Sequence, residues 1–122
     1  MGDRVLIQLK NGDELSPVLY SHWGGQEAPA LIDEFHKKFL TERPDDLSYG
    51  FARLVGYALR DNIDGTTGFG VWNSKKPLTK ADGDEDAGAF LVDIRTLTVH
   101  YGGGYKPDVQ ALTPWKWAND LE

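Results

Sequence analysis

The chain contains no cysteine. That absence excludes disulfide staples, thiolate zinc sites and cysteine nucleophiles together, and it fits a reducing, cytoplasmic setting. Long apolar runs are also missing. No stretch approaches the ~20 residues that a membrane span needs, and the amino terminus lacks the charged-then-apolar pattern of a secretion signal. Basic residues are in the minority: 13 Lys and Arg face 19 Asp and Glu, for a formal net charge of −6. A protein with that balance does not grip nucleic acid mainly through phosphate contacts. No basic patch with interleaved aromatics is visible either, so direct nucleic-acid binding is not expected.

What is present suits one globular domain. The chain has 122 residues, 40% of them hydrophobic and 11% aromatic, which argues against disorder. A chain of this length buries roughly two-thirds of its unfolded surface, enough for one core. Residues 4–10 are apolar with Val5 and Ile7 among them and read as a strand. Asn11-Gly12-Asp13 follows, and Asn-Gly is a hairpin signal because both central residues must reach positive φ. The returning strand covers about 15–21. Pro17 cannot donate to a ladder, so this strand is expected to begin late or lie at an edge.

A first helix starts between Gln26 and Pro29, with Ala28, Leu31, Ile32, Phe35 and Phe39 in one apolar stripe. Asp33, Glu34, Lys37 and Lys38 take its other face, His36 is expected in solvent, and Pro44 ends the helix. Asp45 or Asp46 can cap a second helix, because a short carboxylate accepts the free N–H groups of a first turn. That helix buries Leu47, Phe51, Leu54, Val55, Ala58 and Leu59, and its Gly50 and Gly56 read as close-packing positions. Strands are expected at 68–72, 89–94 and 97–101, with a polar, acidic loop over 73–88. Runs of like elements favour an α+β domain over 1–104: two helices packed on a mostly antiparallel sheet of four to five strands. A tail over 105–122 packs on the domain or faces a partner.

The densest group of chemically capable side chains is Tyr20-Ser21-His22-Trp23-Gly24-Gly25, where a strand hands over to a helix. The glycines allow a tight turn or close approach of a ligand, and N–H groups at the helix start could hold an anion. His22, with a side chain that titrates near neutrality, is the candidate for proton transfer if the chain is catalytic. The structural alternative has His22 on a backbone carbonyl and Trp23 in the core. Strand alternation sends Tyr20 and His22 to one face and Ser21 and Trp23 to the other. That separation speaks against a Ser21–His22 nucleophile pair, and neither Ser21 nor Ser48 sits in a Gly-x-Ser-x-Gly elbow.

Tyr49 and Arg53 of the second helix could join His22 in a ligand cleft. Arg53 and Arg60, seven apart, share a helix face suited to ion pairs or an anion. Asp82, Asp84 and Asp86 alternate like the start of a calcium loop, so Ca²⁺ or Mg²⁺ is the candidate cofactor. The pattern then departs, with Ala87 where the loop needs glycine and Asp93 where it needs glutamate. A zinc site would require the fold to gather His22, His36 and His100. Trp115 and Trp117, two apart with Lys116 between them, look exposed and could anchor a partner, or else fold back over the core.

Several of these pieces resemble a family of small uncharacterised proteins of phages, prophages and bacteria. Its members carry a Leu-His-Trp-Asn-Gly-Gly stretch, a Tyr-Gly-x-Ala-Arg-Leu helix, a Gly-rich strand and an Asp-x-x-Asp-Asn-Gly-x-Tyr segment. The counterparts here are Ser21-His22-Trp23-Gly24-Gly25, one residue shorter, and Tyr49-Gly50-Phe51-Ala52-Arg53-Leu54. Gly68-Phe69-Gly70-Val71 and Asp86-Ala87-Gly88-Ala89-Phe90 match more loosely. The likeness spans about 4–100 and leaves the tail uncovered. It implies a small cytoplasmic accessory protein of mobile-element type and transfers no activity. The sequence-level expectation is a non-catalytic module that binds a protein partner, with a homodimer also open. The alternatives are a small-ligand or anion site around His22, Tyr49 and Arg53, and a divalent cation at the acidic loop.

Overall fold

A computed structural model describes residues 3–83, 88–103 and 114–122. Strands β1 (Val5–Asn11) and β2 (Glu14–Ser21) form the expected hairpin. Asn11 still pairs with Glu14, so the loop is Gly12-Asp13, and only Gly12 takes positive φ, at +63°. That is the type II′ pattern in place of the type I′ turn that Asn-Gly suggests. Pro17 neither delays β2 nor puts it at an edge. The ladder shifts between Gln8↔Val18 and Lys10↔Leu15, leaving Ser16 and Pro17 opposite the single residue Leu9, a bulge on β2. There the Leu9 N–H donates to Ser16 Oγ at 2.8 Å, a side chain replacing the ladder at the proline.

Helix α1 (Ala28–Phe35) has Pro29 in its first turn and runs on as a single π turn, His36–Leu40. Helix α2 (Leu47–Leu59) starts at the Asp46 cap, whose carboxylate accepts from the Tyr49 N–H at 2.9 Å. That bond, then one from Arg43, holds the Asp46 carboxyl below its ordinary range. Phe35 and Phe39 stack at 5.6 Å and press on Gly50, where an added Cβ would lie 3.2 Å from the Phe39 ring. Gly56 meets nothing within 4 Å, so close packing accounts for Gly50 and not for Gly56.

The remaining strands are β3 (Phe69–Trp72), β4 (Gly88–Asp93), β5 (Thr98–Gly102) and β6 (Lys116–Ala118). The fold is α+β, with two α-helices, but the sheet has six strands in the order β3-β2-β1-β4-β5-β6. It is mixed: β1 pairs parallel with β4, and β5 pairs parallel with β6. Four to five antiparallel strands was an undercount, for a physical reason. Alternation reveals which residues are buried, whereas strand direction follows from the long return that brings β4 beside β1. The sixth strand comes from the tail, too short at three residues to show a period.

The helices cover one face of the sheet over Val5, Ile7, Leu19, Phe90, Val92 and Val99. On the other face Leu6, Val18, Leu78 and Ala89 form a smaller cluster, with Leu121 against it. Residues 73–83, expected as a solvated loop, supply Leu78 to that cluster and include a 3₁₀ turn, Lys80–Gly83. Gln8, fully buried on β1, holds this segment down. Its amide donates to the carbonyls of Ser16 (3.1 Å) and Lys76 (3.4 Å) and accepts from the Leu78 N–H (2.9 Å).

Candidate functional site

The strand-to-helix corner is stitched by its backbone. The His22 N–H donates to the Gly68 carbonyl at 2.8 Å, and the His22 carbonyl accepts from Asp3 at 2.9 Å. The Gly25 N–H donates to the Asp3 carbonyl and the Gln26 N–H to the Asp3 carboxylate, each at 2.8 Å. Glu27 and Ala28 donate to the carbonyls of Gly24 and Gly25. The helix start is thus already satisfied by the chain's own aspartate and turn, and the expected anion cradle is filled.

Tyr20 and His22 lie on one face, as alternation requires, with the Tyr20 hydroxyl 2.6 Å from His22 Nδ1. Trp23 departs from expectation. Strand geometry ends at Ser21, and the Trp23 ring turns edge-on to His22 at 4.5 Å. It does not enter the core; 65% of it is exposed. Trp72 of β3 packs on Tyr20 at 5.9 Å and is 47% exposed. The result is a continuous row of four rings, Trp72–Tyr20–His22–Trp23, along one margin of the sheet.

This margin is the outer edge of β3, which pairs with β2 and with no other strand among the described residues. An open edge presents unpaired N–H and C=O groups, and proteins usually guard it with lysine, proline or inward charge. Here no charged residue stands between Asp64 and Lys75, and Val71 is exposed beside Trp72. The opposite edge, β6, is three residues long and carries Lys116. The signal for this site in the sequence was the uncharged run 65–74 with Phe69 and Trp72 inside it. Its glycines weakened the strand reading and hid the edge.

The other sequence candidates go elsewhere. Tyr49 and Arg53 are exposed on α2, with the Arg43 guanidinium 4.6 Å from the Tyr49 ring centroid. Neither lines the groove bordered by Trp23 and Gly24 (about 590 Å³) nor the hollow bordered by Tyr20 and Trp72 (about 360 Å³). The cleft expected from His22, Tyr49 and Arg53 is therefore not assembled. A larger, open hollow (about 830 Å³) lies between the β1–β2 end and the start of α2, lined by Glu14, Glu42 and Arg43 among others.

Of the two readings of the tail tryptophans, exposed anchors or a return over the core, the geometry agrees with the return: Trp115 is 5% exposed and part of the core, and Trp117 packs against that core beside Tyr101. Both side chains follow β6 onto the helix-covered face. His36, expected in solvent, lies edge-on to Trp115 at 5.7 Å with Nδ1 buried. His100 bonds Asp120 at 2.9 Å, so the three histidines occupy three places. Asp82 Oδ2 accepts from the Thr79 N–H (2.8 Å) and hydroxyl (3.0 Å), closing the 3₁₀ turn. Asp84 and Asp86 lie outside the described residues. Among the described residues no group of three or more His, Asp or Glu is placed to hold a metal, and no helix is long and apolar enough to cross a membrane.

On the helix side, α1 and the C-terminal half of α2 bound the groove. Its wall is Val5, Ile7, Leu19, Leu31, Ala58 and Phe69. At its rim Arg60 makes a two-pronged pair with Glu34, with Nη2 2.7 Å from Oε1. Hydrogen bonds from Arg60, then Lys38, pull the Glu34 carboxyl down to about 2, and the same pairing raises Arg60. No protein-family model, no curated protein and no solved structure matches the chain, so the site is read from its own geometry.

Proposed function

We propose that this protein is a non-catalytic module that binds a protein partner along the β3 edge. The observation that carries the reading is an uncharged, open strand edge flanked by exposed Trp23, Val71 and Trp72. Main-chain groups of such an edge can pair with an extended segment of another chain, while alternate side chains supply specificity. Tryptophan contributes large buried area at interfaces and dominates their energetics. The role moves from Trp115 and Trp117, which hold the core, to Trp23 and Trp72. In this reading the protein works in the cytoplasm as an accessory factor of the kind the phage and prophage resemblance implies.

The test is capture from bacterial lysate with the intact protein, followed by hydrogen exchange on the recovered complex. Protection of amides 69–72, with capture lost in Val71→Lys and in Trp23→Ala/Trp72→Ala but kept in Tyr49→Ala, is the expected result. Protection confined to another surface, or capture unaffected by Val71→Lys, overturns it. A concentration-dependent dimer protected at the same amides would make the partner a second copy.

A further inference from the structure

We infer that the partner on the β3 edge is a second copy of this chain, joined by antiparallel β3–β3 pairing about a two-fold axis through Gly70. This rests on the edge reading above and names its occupant. The ladder sets which main-chain groups are free. The His22 N–H donates to the Gly68 carbonyl, and β2 pairs Tyr20 with Gly70 and Val18 with Trp72. Main-chain groups alternate sides along an antiparallel strand, so Gly68, Gly70 and Trp72 turn theirs to β2, and Phe69 and Val71 turn theirs outward. A two-fold axis perpendicular to the sheet keeps each face continuous, so residues that meet across it share a face. With Gly70 on the axis, Phe69 of each copy meets Val71 of the other, and both pairs exchange their outward N–H and C=O groups.

The side chains suit this register. Gly70 has no use within the chain: its φ is not positive, and the nearest atom to an added Cβ is in the Tyr20 ring at 3.9 Å. Glycine weakens a strand and often marks the close approach of another backbone, and in this register Gly70 meets its own copy in a close, non-bonded pair. Trp72 falls over the bare backbone of Gly68 and Gly70 of the other copy, and an aromatic set against edge glycines covers what they leave open. On the helix-covered face, Val71 and Phe69 border a hollow of about 260 Å³ lined also by Leu19, Val55 and Leu59 and by no charged residue. The ends of the edge favour a second copy over another protein. Asp64 bounds the uncharged run on one side and Lys75 on the other, both exposed and neither in an ion pair among the described residues. Antiparallel self-pairing sets the acidic end of each copy beside the basic end of the other, so the edge is complementary to itself. The net charge of −6 on each copy opposes association, but physiological salt screens charges more than about 8 Å apart.

Sedimentation of the intact protein between about 10 μM and 1 mM, with residue-level amide exchange by NMR, tests the pairing. The expected result is a reversible dimer in which the Phe69 and Val71 amides gain protection with concentration. The Gly70 and Trp72 amides, already bonded to β2, should not change. Val71→Lys should weaken the dimer at least about tenfold, by placing charge on the edge, and Tyr49→Ala should leave it intact. Asp64→Lys and Lys75→Asp should each weaken self-association about threefold or more, by setting like charges at both ends. An equimolar mixture of those two variants should regain the parent affinity, because opposite charges then meet at both ends. A chain that stays monomeric to about 1 mM, protection confined to other amides, or a mixture no tighter than either variant alone overturns the inference. The edge reading fails separately. A monomer that still captures a lysate partner with amides 69–72 protected keeps that reading and loses only the second copy, whereas a monomer without such capture loses both.

Discussion

Gln8 offers the sharpest check on how this sheet is held together. Its carboxamide is fully buried and is the hydrogen-bonded link between β1, the β2 bulge and the segment carrying Leu78. Gln8→Leu keeps the volume and deletes the bonds. Two are well formed, at 2.9 and 3.1 Å, and the third, at 3.4 Å, is marginal. Each neutral bond is worth about 0.5–1.5 kcal/mol net, and an orphaned buried N–H costs about 1–3 kcal/mol. The Leu78 N–H would be such an orphan, so the expected loss is about 2–4 kcal/mol, a large share of the ~5–15 kcal/mol that holds a domain.

Urea unfolding at neutral pH measures the loss, and hydrogen exchange at the Leu78 amide localises it. The midpoint should fall with the m-value unchanged, and the Leu78 amide should lose protection before the β1–β4 ladder does. Gln8→Glu should be worse at neutral pH, because a buried carboxylate is uncompensated, and should recover partly in acid. Its folded-state pKa would be raised, so its stability is kept at low pH and lost as pH rises through that value. A Gln8→Leu variant within about 0.5 kcal/mol of the parent would refute the reasoning and make the amide a spectator.

Three further outcomes follow from the packing and charge. Gly56→Ala should stabilise by about 0.5–1 kcal/mol, since a Cβ there meets nothing, whereas Gly50→Ala should gain nothing or lose because of the Phe35 and Phe39 rings; thermal unfolding compares them. Glu34, depressed to about 2 by Arg60 and Lys38, adds stability that is fully present above its unfolded value of 4.5 and is lost as pH falls toward 2. Because the pair is partly exposed, that contribution is about 1 kcal/mol, and Glu34→Gln should flatten this acid limb in pH-dependent unfolding. Trp115→Ala should cost about 3–5 kcal/mol by emptying a core position, and Trp72→Ala under about 1 kcal/mol, a contrast that urea midpoints resolve.

How much of this could be read without coordinates depends on the range of the interaction concerned. Local chemistry was legible. The position of the β1–β2 hairpin turn, the Asp46 cap, Pro29 in the first helical turn and the apolar stripe of α1 each depend on neighbours within a few residues. The absence of cysteine likewise excluded disulfides and thiolate chemistry from composition alone. The α+β class followed from the order of the elements.

Everything long-range was decided only by the tertiary structure. The parallel pairing of β4 with β1, and β6 drawn from the tail, depend on which strands become neighbours, and no local period carries that information. The same return buried Trp115 and turned Gln8 from a polar strand residue into the anchor of a distant segment. At the corner, alternation placed Tyr20 and His22 correctly but failed at Trp23, two residues past the end of the strand at Ser21. Trp72 joined that row through its antiparallel register with β2, and Tyr49 and Arg53 were left out of it on α2. The sequence determined the local elements because they need only short-range contacts; the candidate surfaces were decided by the sheet, because only pairing across the chain puts those side chains side by side.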